Sequence, residues 1–265
     1  MYTYSNEHKS YLKNRKKRKI AIVIVQILII VLFLSIWQLA VEKEWVNTFL
    51  SSSPKEVMNT FITLLKQNNI FNHIYVTVYE TIISFLIASI LGIIIASILW
   101  WNNFIAKVLD PYLTVLNSLP KVALGPLIII WVGANTNSII FMALMISLII
   151  SIINIYNGFT TTDENYITLM KSFNASKFQI YKNVILPSNV VTIVNCLKIN
   201  ISMSLIGVIM GEFLVSKEGI GYLIMYGSQV FNLNLVIAGI VILMIVSYIM
   251  YLIVVYMEKM LIKEK

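Results

Sequence analysis

Polar side chains at helical spacing inside an apolar segment are the first place where this sequence offers chemistry. Asn195, Lys198 and Ser202 follow one another at intervals of three and four residues, so a helix would present them on one face. A lysine near the middle of a membrane-spanning helix costs about 2.5–3.5 kcal/mol on insertion scales, so it is expected to face protein or water. The pattern predicts either the wall of a translocation path that favours an anionic solute, or structural hydrogen bonding between helices.

A second lysine, Lys121, lies in an apolar stretch that Leu119-Pro120 and Gly125-Pro126 interrupt. Prolines inside a spanning helix are tolerated where neighbouring groups or water satisfy the freed backbone. A broken helix beside a path, with Lys121 facing the path, is one interpretation. A kink at the helix end, with the Lys121 side chain reaching the membrane interface, is the other.

Catalytic and cofactor motifs are missing from the sequence. It contains no H-E-x-x-H, G-x-S-x-G or Walker A motif, and Gly219-Ile220-Gly221 follows no predicted strand. His8 and His73 are far apart, and Glu80 is the only acid that we place well inside a span, so we expect neither a metal site nor a carboxylate pair for proton relay. The sequence predicts a protein without cofactors that is not an enzyme, and any transport would take its energy from a partner.

The composition is that of an integral membrane protein. Apolar residues make up 58% of the 265 residues, mean hydropathy is +0.83 and only 12% are charged, about half the charged share of a soluble domain. The segments long enough to span a bilayer are Ile20–Val41, Ile74–Trp101, Tyr112–Gly133, Ser138–Tyr156, Ser188–Gly211 and Leu235–Tyr256. We expect a basic tail at 1–19, a first span and linker at 20–52, a core domain at 53–257 and a tail at 258–265.

The net charge of +8 follows the membrane topology and does not predict nucleic-acid binding. Most Lys and Arg residues lie on the cytosolic side if both termini are cytosolic, as the positive-inside rule requires. We therefore predict a multi-pass protein of a cell membrane with both termini in the cytosol and a basic N-terminal tail near lipid headgroups. Cys196 lies in an apolar segment and is expected to pack there.

The longest polar interruption of the apolar part is Asp163–Pro187, which this topology places in the cytosol. Apolar residues recur at helical spacing on both sides of Asn174, and Asn tolerates the left-handed conformation that ends a helix. The pattern predicts helix, tight turn, helix. A plain solvated connection between two spans is the alternative.

Smaller signals place further elements. Ser53-Pro54-Lys55-Glu56 is typical of a helix start outside the membrane. Gly207 and Gly211 form a G-x-x-x-G pair that permits close packing of helices. Gly219 and Gly221 suit a turn, and 222–231 is predicted to be a short interfacial or re-entrant helix.

Four stretches, in this order, resemble the permease subunits of bacterial ATP-binding-cassette importers of the nitrate, sulfonate and taurine type. Residues 119–133 resemble P-P-L-A-x-x-P-L-x-I-L-W-F-G. The second stretch is the family's cytosolic EAA loop, in which residues 172–176 resemble S-F-G-A-S and Leu186-Pro187 stands at the closing L-P. Leu197-Lys198-Ile199 stands at L-R-I, and residues 212–224 resemble E-L-L…G-L-G-Y-L-I. The resemblance covers roughly 53–256. Thr168, Leu169 and Met170 replace Glu-Ala-Ala, and Asn174 replaces Gly.

The resemblance implies an all-α, six-span, type I importer permease that dimerises, with a cytosolic coupling helix between spans 4 and 5. Its implied partners are cytosolic ABC ATPase subunits and an extracytoplasmic solute-binding protein or lipoprotein. The solute would be a small anion, or alternatively a pyrimidine precursor of thiamine; a self-sufficient carrier or channel is a further alternative. The expected ATPase contacts, with Phe178 and Tyr181 foremost, are Phe173, Asn174, Ala175, Phe178, Tyr181, Leu186 and Pro187.

Overall fold

The computed structural model describes residues 6–66 and 69–262, and every regular element within them is helical. The chain divides into two compact units, Met1–Thr63 and Leu64–Lys265. The first holds α1 (Asn6–Glu42), α2 (Thr48–Ser51) and most of α3 (Pro54–Lys66). Helix α3 begins where the sequence predicts, because the Glu56 N–H donates to the Ser53 side chain at 3.2 Å.

The second unit contains the remaining helices. The longest are α4 (Asn69–Trp101), α7 (Thr136–Thr160), α11 (Val190–Val215) and α13 (Leu233–Ile262). Between them lie α5 (Asn103–Ser118), α6 (Gly125–Val132), α8 (Glu164–Ser172), α9 (Lys177–Ile180), α10 (Leu186–Ser188) and α12 (Ile220–Gln229). Helix α12 confirms the short helix predicted after the Gly219 turn.

In the described part of the chain, five helices are long and apolar enough to cross a membrane, and six spans result if one bent pair counts as a span. That pair is α5 and the segment Lys121–Val132, which meet at 88°. A 3₁₀ turn at Lys121–Leu124 follows the break at Leu119-Pro120, so the helix is interrupted where the prolines predict. The predicted start of this span is wrong: α5 begins at Asn103 and runs through Pro111, because the Asn102 side chain caps it.

The core of the second unit is formed by α4, α7 and α11, which approach closely at small residues. A Cβ added to Gly207 would collide with the Ala143 backbone, and one added to Gly211 would lie 3.0 Å from Ile139 Cα. Gly92 meets Ser151 in the same way. Glycine and serine let helix backbones touch, and dispersion contacts then hold the helices together where lipid offers no hydrophobic drive.

Candidate functional site

The turn at Asn174 is a Schellman motif at the end of α8. Asn174 has φ 53°, the left-handed conformation predicted from its residue type. The Asn174 N–H donates to the Lys171 carbonyl at 2.9 Å and the Ala175 N–H to the Met170 carbonyl at 3.0 Å. Both bonds satisfy carbonyls that the end of α8 would leave unpaired. Asn therefore fills the glycine place of the family motif without losing the turn.

The second half of the segment starts from a capping box and contains a π-helical turn. The Gln179 N–H donates to the Ser176 side chain at 3.3 Å, and the Ser176 N–H donates back to the Gln179 side chain at 2.7 Å. The π turn spans Tyr181–Ile185 and leads into α10, where Pro187 lies in the first turn. Because a π turn holds more residues than an α-helical turn, it rotates the side chains that follow it.

The inner face of the segment packs on the helix bundle. Ile180 and Ile185 are buried with Ala96, Phe159 and Cys196, and the side chains packed against them include Ile167, Met170, Ala175, Tyr181, Val184 and Leu186. Because Met170 replaces the second Ala of the family motif, it adds apolar contact at this base. The helix–turn–helix is therefore fixed to the spans α4, α7 and α11 and is not a loose connection.

Tyr181 belongs to this base and not to the outer face where docking was predicted for it. Its hydroxyl lies 2.6 Å from the Ser97 hydroxyl, and its ring centroid lies 5.3 Å from that of Trp100 and 6.0 Å from that of Phe159. The Lys177 ammonium donates to the Trp101 carbonyl at 2.6 Å and lies over the rings of Trp100 and Trp101. This aromatic cluster clamps the π turn to the end of α4.

The outer face of the segment exposes a set of large apolar side chains. Phe173 is 74% exposed and Phe178 is 60% exposed. Tyr166 and Leu169 precede Phe173 at helical spacing and are also exposed. These four residues are the apolar patch: Tyr166, Leu169, Phe173 and Phe178. A patch of this kind on a rigid base is typical of a protein interface.

The predicted polar face of α11 exists, but its lysine carries a partner. The Lys198 ammonium donates to the Asn195 side chain at 3.3 Å, and the Ser202 hydroxyl bonds to the Lys198 carbonyl at 3.4 Å. Lys198 also forms an ion pair of 2.7 Å with Glu258 in the last turns of α13. Lys198 is the ninth of the 26 residues of α11, and in this conformation its charge is balanced by Glu258.

Ser202 borders a groove of about 350 Å³ between α11 and α13. The other lining residues are mostly aliphatic, among them Leu205, Ile240 and Met244. Lys121 lies elsewhere, at the break between α5 and α6, where its ammonium donates to the Asn117 carbonyl at 3.1 Å. That carbonyl is one that the helix end leaves free, so Lys121 acts here as a cap of α5.

At the other end of the bundle, Glu212 ties α11 to α4 and α12. The Thr77 hydroxyl donates to Glu212 at 2.6 Å and accepts the Ile220 N–H at 2.8 Å, while the Gly221 N–H also donates to the Glu212 carboxylate. Gly219 has φ 109° and presses against that carboxylate, so the turn needs glycine. The predicted turn is confirmed at Gly219, whereas Gly221 lies in the first turn of α12.

This network corrects one prediction. We expected no carboxylate pair in the membrane region, yet Glu80 and Glu212 are both buried and interact with one another. Glu212 was not counted among the acids of the spans because the predicted fifth span ended at Gly211. Helix α11 instead continues to Val215. Its partner Thr77 is distant in the sequence, so no local pattern pointed to it.

Comparison with known proteins identifies the family. Residues 88–263 match the family model described as binding-protein-dependent transport system inner membrane component. This covers more than half of the chain, which therefore belongs to that family. It is a transport permease of the ABC importer class, as the motif resemblance predicts.

Two relatives illustrate the likeness in sequence. The chain is 28% identical over 225 residues to a protein of Haemophilus influenzae described as an ABC transporter permease, covering 85% of this chain and 91% of the relative. It is 27% identical to the Bacillus subtilis protein SsuC, described as an aliphatic sulfonates transport permease, covering 81% of this chain and 78% of the relative.

A solved structure agrees on the fold. A chain of the MetNI methionine ABC transporter, in an inward-facing conformation, superposes with a TM-score of 0.64 at 15% identity, covering 73% of this chain and 96% of that chain. The predicted all-α, type I importer permease architecture is therefore confirmed.

Proposed function

We propose that this chain is the membrane subunit of an ATP-driven importer and that the segment 163–187 couples it to the conformational change of the ATPase subunits. The observation that carries the proposal is the apolar patch, seated on a base that is bonded to the spans. A helix that presents apolar anchors can enter a groove on a partner. Because the base is fixed by Tyr181 and the Schellman turn, movement of the partner would be passed to the helices.

The partners follow from this arrangement. Cytosolic ABC ATPase subunits would bind the patch, and an extracytoplasmic solute-binding protein or lipoprotein would deliver the solute at the opposite end. We further propose that two copies of the chain form the path, in a bacterial cytoplasmic membrane with both termini in the cytosol. The family description supports the membrane and the binding-protein dependence, and the excess of Lys and Arg supports the orientation.

The first candidate for the solute is a small sulfonate-like anion, supported by the similarity to SsuC. One contact favours a second candidate, because the Lys198–Glu258 ion pair leaves no net charge at the lysine expected to attract an anion. A neutral pyrimidine is compatible with a site that carries no net charge. The ThiX protein of Halalkalibacterium halodurans, described as a formylaminopyrimidine transport permease, is 25% identical over 74% of this chain.

The docking proposal is tested by replacing Phe173 and Phe178 together with alanine. Buried aromatic anchors contribute about 2 kcal/mol or more each to an interface, so capture of the ATPase should fall by about 100-fold or more, and ATP-driven uptake should stop. Phe71→Ala is the matched control, since Phe71 is also 60% exposed but lies in the first turns of α4. Normal capture and uptake in the double variant would contradict the proposal.

The solute is tested by uptake into vesicles that hold the permease, its ATPase and its binding protein. Labelled alkanesulfonate should accumulate only with ATP, and the permease alone should be inert. ATP-dependent accumulation of labelled formylaminopyrimidine, without accumulation of sulfonate, would select the second candidate. Accumulation by the permease alone would contradict both, because a self-sufficient carrier needs no ATPase.

A further inference from the structure

A cavity of about 360 Å³ lies at the end of the bundle away from the segment 163–187. The start of α4, the connection before α7 and the end of α11 enclose it. Its lining is rich in oxygen atoms and carries more acidic than basic side chains. The lining residues that matter here are Glu80, Asn135, Thr136, Ser216, Lys217 and Glu218.

The buried carboxylate in the cavity wall, Glu80, differs in its surroundings from its neighbour Glu212. Glu212 accepts hydrogen bonds from Thr77 and from the first turn of α12, whose N-terminus carries partial positive charge. Glu80 is 1% exposed, and neither of its oxygens has a hydrogen-bond partner among the described residues. Thr136 and Glu212 are its polar neighbours. Glu80 is thus less well compensated than Glu212.

Donors that could compensate Glu80 are engaged or face elsewhere. The N-terminus of α7 is close, but the Asn135 side chain already accepts the N–H groups of Asn137 and Ser138. His73 accepts the Gly219 N–H through Nδ1 at 3.0 Å. Lys217 is exposed at the cavity, and no ion pair joins it to Glu80 in the described part of the chain. A buried carboxylate without a positive or donor group is costly.

We propose that the cavity binds a small monovalent cation, an alkali ion or a protonated amine, through the carboxylate of Glu80. Carboxylate, amide and hydroxyl oxygens are the ligands that hard cations prefer. The volume leaves room for an ion with several of its waters. The described residues contain no cluster of three or more His, Cys, Asp or Glu, which speaks against a transition-metal chelate. The inference does not rest on the solute proposed above, because this cavity is separate from the groove beside Ser202.

The test measures the melting temperature of the full-length permease in lipid nanodiscs at constant ionic strength. Sodium chloride and methylammonium chloride are compared with N-methylglucamine chloride, whose cation is bulky. We expect a rise of about 3–6 °C with at least one small cation at saturation. The cation that gives the larger rise distinguishes a metal ion from an amine.

Variants assign the effect to Glu80. Glu80→Gln should abolish the cation-dependent rise, whereas Glu80→Asp, which keeps the charge, should retain it. Glu164→Gln is the matched control, because it removes an exposed carboxylate at the opposite end of the bundle and should leave the rise in place. Equal melting temperatures in all three salts would overturn the proposal, and so would a rise that survives Glu80→Gln.

Discussion

The two ends of the helix bundle are built in opposite ways. At the segment 163–187, polar groups satisfy one another within a short stretch, and large apolar side chains such as Phe173 are left exposed. At the turn 216–221, polar groups are buried and bond across distant helices, as Thr77 does with Glu212. The first end is suited to binding a partner, while the second holds the fold together. Substitutions at the two ends should therefore affect different measurements.

The largest effect on stability is expected from Gly219→Ala. Its φ of 109° disfavours any side chain, and the new Cβ would collide with the Glu212 carboxyl group. Strain and displacement of the buried carboxylate should together cost about 3 kcal/mol, which lowers the melting temperature by roughly 6–12 °C. Glu218→Ala, at the exposed neighbour, is the control. A melting temperature equal to that of the unchanged chain would show that the turn is not under constraint.

A smaller loss is expected from Thr77→Val, which keeps the side-chain shape and removes the hydroxyl. Glu212 and the Ile220 N–H each lose a buried partner, at a cost of about 2 kcal/mol. Thr63→Val is the comparison, because its hydroxyl bonds only to the preceding turn of its own helix. Chemical unfolding measured for both variants checks this, and equal midpoints would mean that the buried bridge contributes nothing.

Tyr181→Phe tests whether Tyr181 belongs to the base or to the docking face. Losing the bond to Ser97 should cost about 1 kcal/mol of unfolding free energy, while ATPase capture stays within about twofold. Tyr112→Phe, which removes an exposed hydroxyl outside the segment 163–187, should change neither. If Tyr181→Phe weakens capture and leaves stability intact, Tyr181 faces the partner after all.

The smallest effect is expected at the Lys198–Glu258 pair. Its side chains are 22% and 19% exposed, so a double-mutant cycle of Lys198→Met and Glu258→Gln should give a coupling of about 1 kcal/mol or less. Glu258→Gln frees the lysine charge and should raise uptake of a sulfonate relative to a neutral pyrimidine. If the ratio of sulfonate uptake to pyrimidine uptake does not change, Lys198 has a structural role and does not select the solute.

Local features of the sequence predicted local structure well. The start of α3, the break at Leu119-Pro120 and the left-handed Asn174 each depend on residues within one or two turns, so propensity and spacing were sufficient. The inward orientation of the Tyr181 side chain could not be predicted from local spacing. Its helical spacing from Phe178 suggested a shared face, but the Tyr181 side chain packs inward on residues that are distant in the sequence, namely Ser97, Trp100 and Phe159.

Nonlocal features were beyond sequence patterns. The pairing of Lys198 with Glu258 and of Glu212 with Thr77 joins residues on different helices, and no spacing rule connects them. The buried bond of Asn200 to Ser89, at 3.2 Å, is of the same kind. Such contacts depend on how α4, α7, α11 and α13 pack, and single-sequence periodicity carries no information on partner choice between helices.

The most direct test of the account is crosslinking from the apolar patch to the ATPase. Cys196 is the single cysteine and is buried, so a Cys196→Ala background allows one new thiol at a time. Phe173→Cys and Phe178→Cys, modified with a photoreactive maleimide in the assembled transporter, should crosslink to the ATPase, and Phe71→Cys should not. Crosslinks from position 71, or none from 173 and 178 in a complex that still hydrolyses ATP, would contradict the role of this segment in coupling.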